Sequence, residues 1–310
     1  MEKRSRNILF YLSLGAFILI SIGVTLYAQG YVYSFAEGKI VKTGSIRVSA
    51  QTSGKVLFDN KTQSSLSGLS DVFEKGRLRP RDYQIKITKD GFYDWGKTAT
   101  VRAGELTNFP SVYLVTKTPK IEIASVSDEL ESLAEVIDPN SGTFETISQT
   151  LAVEPKAVKK VERLGGVDIV LIKTARGGIL YKLTGDNLEV MESGVDDFVI
   201  NKRRDRIAWR SADQVGVIWL KDTSYQPIHL AGDEEIILET SSEIDALDWF
   251  KTDDHLFVKA RNNIFFVELD GRSNRNVYTV FTEANIDEIK SQSDGRLLIK
   301  FSDKYIYLEI

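Results

Sequence analysis

The chain has no cysteine, two histidines, two methionines and six prolines in 310 residues. Without a thiol there is no disulfide framework, no thiolate metal site and no cysteine nucleophile. Two histidines, His229 and His255, leave little material for imidazole catalysis or metal binding. They sit in the strand-like runs Pro227-Ile228-His229-Leu230 and His255-Leu256-Phe257-Val258, where a half-buried or surface strand residue is the plainer reading. An excess of charge is missing too, since 40 Lys+Arg against 44 Asp+Glu give a net charge of −4. That balance, with no basic stripe interleaved with aromatics, argues against nucleic acid as a partner. The densest basic cluster, Lys202-Arg203-Arg204, is followed by Asp205 and reads as an exposed turn.

Charge is also absent from Asn7 to Ala36. The apolar run Ile8 to Ala28 supplies the roughly 20 residues that a helix needs to cross the hydrocarbon core with its backbone satisfied internally. Tyr27, Tyr31 and Tyr33 follow at the depth of an interfacial aromatic belt. The run exceeds the roughly 7–15 residues of a signal-peptide core, and Leu26 stands where cleavage wants a small residue. A retained anchor is therefore favoured over a cleaved signal. Lys3, Arg4 and Arg6 precede the run, which places the N-terminus inside the cytoplasmic membrane and the body outside it.

Residues 38–116 read as short strands with turn punctuation. Gly44-Ser45-Ile46-Arg47-Val48-Ser49-Ala50 and Asp82-Tyr83-Gln84-Ile85-Lys86-Ile87-Thr88 alternate apolar and polar at period two, and Lys89-Asp90-Gly91 is a turn. Three pieces, Gly44 to Ser49, Ser53 to Asp59 and Tyr83 to Trp95 leading to Val101-Arg102-Ala103-Gly104-Glu105, give this stretch a resemblance to a PEGA domain. That is a small β-sandwich of envelope proteins. The segment that names the family appears only as Thr52-Ser53-Gly54-Lys55. The resemblance implies a spacer or binding module and carries over no catalytic residues.

Residues 117–150 are polar and read as a linker, with Ser127 to Val136 a short helix if one forms. Beyond them the chain repeats. Units begin at Val195, Ile244 and Ile286, with a fainter copy near Val161. Each is strand, acidic turn, strand, polar turn, strand. A spacing of roughly 40–50 residues is that of a propeller blade. The units resemble the WD40-like or TolB-type blades of bacterial envelope proteins. The last ends at its third strand, so a strand near Ile121 to Ser125 is one candidate to close a ring. Open stacking or completion by another chain are the others.

The expected architecture is thus mainly β: a cytoplasmic tip and transmembrane helix (residues 1–37, helix 8–28), a PEGA-like sandwich (38–116), a linker (117–150) and a small or incomplete propeller-like domain of about four blades (151–310). Asp253-Asp254, Asp270-Gly271 and Asp294-Gly295 lack the alternating oxygen ligands of a calcium loop. Asp196-Asp197 and Asp233-Glu234-Glu235 are neighbours rather than opposed carboxylates. No catalytic, cofactor or metal residues are therefore assigned, and the chain is expected not to be an enzyme. Recurring aromatics read mostly as packing. If some are exposed, Trp209, Trp219, Trp249 and Tyr305 would form a contact patch. The expected partners are the lipid bilayer, through the helix, and another envelope protein or a cell-wall polymer. A propeller-borne hydrolase or lyase, and a sensory or assembly subunit, are the alternatives.

Overall fold

The computed structural model describes residues 3–35, 38–66, 71–124, 149, 154, 157–175, 177–301 and 304–310. The expected helix at Ser127 to Val136 lies outside them. Two compact units are present, Met1–Lys89 with Asp94–Leu114, and Asp90–Tyr93 with Val115–Ile310.

The first unit opens with α1 (Lys3–Ala28), of which Asn7–Ala28 is long and apolar enough to cross a membrane. No part of that segment is buried by the other described residues. A helix that is apolar all round needs an apolar surrounding that this protein does not provide. Then come β1 (Tyr31–Ser34), β2 (Lys39–Lys42), β3 (Gly44–Ala50), β4 (Gly54–Phe58), β5 (Lys61–Leu66), β6 (Val72–Leu78), β7 (Arg81–Thr88), β8 (Trp95–Val101) and β9 (Leu106–Val112). After the β1–β2 hairpin they form two sheets, β6-β3-β9 and β5-β4-β7-β8. The period-two reading holds. Ile46, Val48 and Ala50 of β3, and Tyr83, Ile85 and Ile87 of β7, are buried in alternation with more exposed neighbours. The buried faces meet, with Trp95 edge-on to Phe109 and Phe58 beside Phe73, so the sheets form a sandwich.

The second unit contains β10 (Lys120–Ile123) and four successive groups. These are β11 (Val158–Leu164), β12 (Val167–Thr174), β13 (Gly177–Thr184) and β14 (Asn187–Val195); then β15 (Asp197–Ile200), β16 (Arg206–Arg210), β17 (Gln214–Trp219) and β18 (Glu234–Glu239). Next are β19 (Ile244–Trp249), β20 (His255–Ala260), β21 (Asn263–Glu268) and β22 (Val277–Thr282); last are β23 (Glu288–Ser291), β24 (Leu297–Lys300) and β25 (Tyr305–Glu309). The first three groups are four-stranded antiparallel meanders, as propeller-like blades are. The fourth has three strands of its own and takes β10 as its outermost strand, Lys120 opposite Glu309 and Ile123 opposite Ile306. The strand near Ile121, one of the candidates open from the sequence, is therefore the one that completes the last group.

Alternation fades inside the blades. β16 and β20 are buried along nearly their whole length, because each sheet is covered on both faces. Ile169, Leu171 and Leu180 of the first blade share one core with Phe198, Ile207 and Ile218 of the second. Val217 and Trp219 of the second share another with Leu247, Leu256 and Val258 of the third.

Within the second blade Trp209 pairs across the strands with Gly216, and a Cβ on Gly216 would fall 2.4 Å from the indole. The ring lies where that methyl would be. Gly216→Ala is expected to lower unfolding stability by about 1–3 kcal/mol through overpacking, measured as a shift of the denaturant midpoint.

Candidate functional site

The structure decides the fate of the recurring aromatics. Trp209, Trp219 and Trp249 are only 3, 2 and 6% exposed, and Tyr305 is half-buried beside Leu298 and Tyr307. The Trp209 N–H donates to Glu234 Oε1 (2.8 Å) and the Trp249 N–H to the Val199 carbonyl (3.0 Å). Trp219 stacks on His229 with ring centroids 3.7 Å apart. A contact patch on these four residues is therefore corrected: the tryptophans recur at matching places because each fills an interior, and none presents an open face. His229 also departs from its strand reading, since it lies in a loop. His255 is buried in β20, stacked on Phe266.

What the sequence did not reveal is a cavity of about 640 Å³ between the first and second blades. Val167, Ile169, Met191, Ile218, Trp219 and Leu220 give it apolar walls, and Lys182, Glu189, Arg203, Arg204 and Lys221 give it a charged rim. Lys182 pairs with Glu189 at 3.3 Å. Arg203 and Arg204 come from the β15–β16 turn, whose shape is set by a buried Asn201. Its side-chain oxygen accepts the backbone N–H of Asp205 (3.0 Å) and of Arg206 (2.9 Å). Arg204 takes a left-handed φ of +56° and donates to the Arg163 carbonyl at 2.6 Å. The run Lys202-Arg203-Arg204 was the available signal. Only the fold shows that this exposed turn borders a concavity.

The same turn is held from the third blade. Asp253, 3% exposed, accepts the backbone N–H of Lys202 (3.3 Å) and Arg203 (3.2 Å) and the Arg203 Nε–H (3.0 Å). Beside it the buried Arg206 binds Asp254 Oδ1 (3.0 Å) and the Tyr225 hydroxyl. Burial, reinforced by Asp254, pushes that hydroxyl up from its ordinary range. The acidic turn Asp253-Asp254 thus serves arginines, and among the described residues no group of three or more carboxylates and histidines could hold a metal ion.

Two further ionic groups sit on the first strands of the blades. Lys160 Nζ lies 3.5 Å from Glu162 and 3.3 Å from Asp197, and Lys290 Nζ lies 3.6 Å from Asp248. Burial raises the pKa of both Glu162 and Asp248, against the pull of these lysines. At the edge of the first two blades, burial and a hydrogen bond shared with Glu192 push the Glu234 carboxyl up to about 7.

Fold and site define a mainly β protein with propeller-like four-stranded blades and one N-terminal apolar helix. No protein-family model matches the sequence, and no curated protein matches it. Among solved structures the chain is similar to luciferin-regenerating enzyme, with 9% identity, 74% of each chain covered and a TM-score of 0.33. It is similar to the tricorn protease, with 14% identity, 82% of this chain and 24% of that one covered and a TM-score of 0.35. It is also similar to a putative 6-phosphogluconolactonase from Bacteroides uniformis ATCC 8492, with 9% identity, 88% and 70% covered and a TM-score of 0.32. The expectation that the chain is not an enzyme is corrected here. All three of these structures are named as enzymes. At 9–14% identity they assign no substrate or residue role to this chain.

Asp253→Asn keeps a residue that tolerates positive φ but removes the charge facing Arg203, and should cost about 1–3 kcal/mol in a denaturant titration. Glu234 predicts a pH dependence. Its folded pKa lies above the ordinary 4.5, so its contribution is full below about 4.5 and is lost as pH rises through about 7. Glu162 and Asp248 act in the same direction. Thermal midpoints should therefore fall between about pH 5 and about pH 7, and Glu234→Gln should flatten that slope.

Proposed function

We infer that this chain is a membrane-anchored binding protein of the cell envelope. α1 crosses the cytoplasmic membrane once with its N-terminus inside. The sandwich is a PEGA-like spacer, and the propeller-like unit meets a ligand or partner outside the membrane. The observation that carries the binding role is the roughly 640 Å³ inter-blade cavity, apolar in its walls and rimmed with cations, a size and chemistry typical of ligand sites. An anchor is supported by the Asn7–Ala28 helix, none of which is buried by the described residues, and its orientation by the basic residues Lys3, Arg4 and Arg6 before it. Cell-wall polymer and a second envelope protein are the partners proposed for the exposed surface.

The absence of native cysteine makes the topology directly measurable. A single Ser5→Cys should resist a membrane-impermeant maleimide in intact spheroplasts, whereas Asp186→Cys should react. The reverse pattern would overturn the orientation, and release of the body into the medium would overturn the anchor. Full-length chain in lipid nanodiscs should retain either purified cell-wall polymer or one stoichiometric envelope protein. Retention of neither would remove these macromolecules as partners.

A further inference from the structure

A protein with a net charge of −4 gathers four cations and one carboxylate around a single apolar concavity. Two of the cations are neutralised locally, Lys182 by Glu189 at 3.3 Å and Arg203 by Asp253 at 3.0 Å. The other two differ. Among the described residues neither Arg204 nor Lys221 forms an ion pair, although both are exposed and border the cavity. Among the described residues the Arg204 side chain makes one hydrogen bond, to the Arg163 carbonyl, which leaves most of its guanidinium donors open. Its placement depends on structure built elsewhere: the left-handed φ, the Asn201 turn and the Asp253 contacts all fix the turn that carries it. Below the rim, the walls are aliphatic, thioether and indole, and charges beside such low-dielectric walls act more strongly than on an open surface.

Each ligand class meets this site differently. A cation would be repelled by Arg204 and Lys221. A purely apolar molecule would leave both charges at the edge of a desolvated cavity without a partner. A fully hydrophilic anion would leave Val167, Met191 and Leu220 facing water. A volume of about 640 Å³ also falls within the range of roughly 300–1,000 Å³ that small-molecule sites occupy. The geometry points to a site for a small, soluble amphiphilic anion, an apolar ring or branched chain bearing a phosphate, sulfonate or carboxylate. The apolar part lies against the half-buried Val167, Met191 and Leu220, and the anionic group meets Arg204 and Lys221. Arginine suits the role because its planar fork pairs two donors with one oxyanion. The inference rests on reading the cavity as the ligand site and names the class of its ligand.

The test is isothermal titration of the full chain in phosphatidylcholine nanodiscs, with empty discs as the reference. The probes are 2-naphthyl phosphate, neutral 2-naphthol and 2-naphthylmethylammonium. The phosphate should bind about 10-fold or more tighter than the naphthol, and the ammonium should not bind. Arg204→Glu combined with Lys221→Glu should weaken the phosphate by about 10-fold or more while leaving the naphthol unchanged. Both residues are exposed, and the milder pair Arg204→Gln and Lys221→Gln should give an intermediate loss with an unshifted thermal midpoint. Equal binding of phosphate and naphthol, insensitive to these substitutions, would overturn the anion assignment while leaving the cavity as a binding site. Binding of no probe would overturn both. In phosphatidylglycerol discs unchanged affinity keeps the soluble anion as occupant, whereas loss of phosphate binding there would give the site to a lipid headgroup and overturn the soluble form.

Discussion

A four-stranded sheet that is apolar on both faces cannot stand in water alone, and the second unit is organised by that constraint. β16 and β20 are buried along nearly all of their length, so each blade must be covered by its neighbours. The shared cores follow, one between the first and second blades and one between the second and third. Propeller-like order thus results from mutual coverage. The exposure of the outer strands agrees with it: most of β14 is solvent-facing, whereas the strands inside it are not. The last group, with three strands of its own, would leave β25 as an unpaired edge. β10 covers that edge with four cross-strand pairs.

Apolar coverage sets blades side by side but does not specify which turn meets which. Polar groups do that. Asp253 of the third blade takes three donors from the turn of the second, Arg204 of the second reaches the Arg163 carbonyl of the first, and Lys251 of the third reaches the Asp294 carbonyl of the fourth. Equivalent turns are therefore linked from blade to blade. The carboxylates of these turns are already committed to neighbouring donors, and this is why acidic dipeptides that invite a metal-binding reading serve another purpose. The inter-blade cavity is a by-product of the same arrangement. Between the first and second blades, beside a linked turn, apolar residues line the cavity and cations gather at its rim.

Much of the architecture was legible in the residues because the properties concerned are local or repetitive. Alternation in β3 and β7 is visible because one face of each sandwich sheet meets the opposite sheet and the other does not. Repeating units beginning at Val195, Ile244 and Ile286 marked three blades, and the incomplete last unit implied a missing strand. Three matters were not legible. The matching positions of Trp209, Trp219 and Trp249 read mostly as packing, as they are, but could not by themselves exclude a contact patch. His229 looked like a strand residue, whereas it lies flat on Trp219 in a loop. Asp253 gave no sign that its partner lay some fifty residues earlier.

By itself the sequence determined the apolar N-terminal helix, the mainly β body, the repeat and the lack of a fourth strand in its last unit. Each depends on composition or periodicity within a segment, or on a count of segments. Tertiary structure alone decided which aromatics are covered, which carboxylates meet which arginines and where a cavity remains. Those depend on the distance between residues far apart in the chain, and on two-sided burial, which erases the period-two pattern that would have told one strand face from the other.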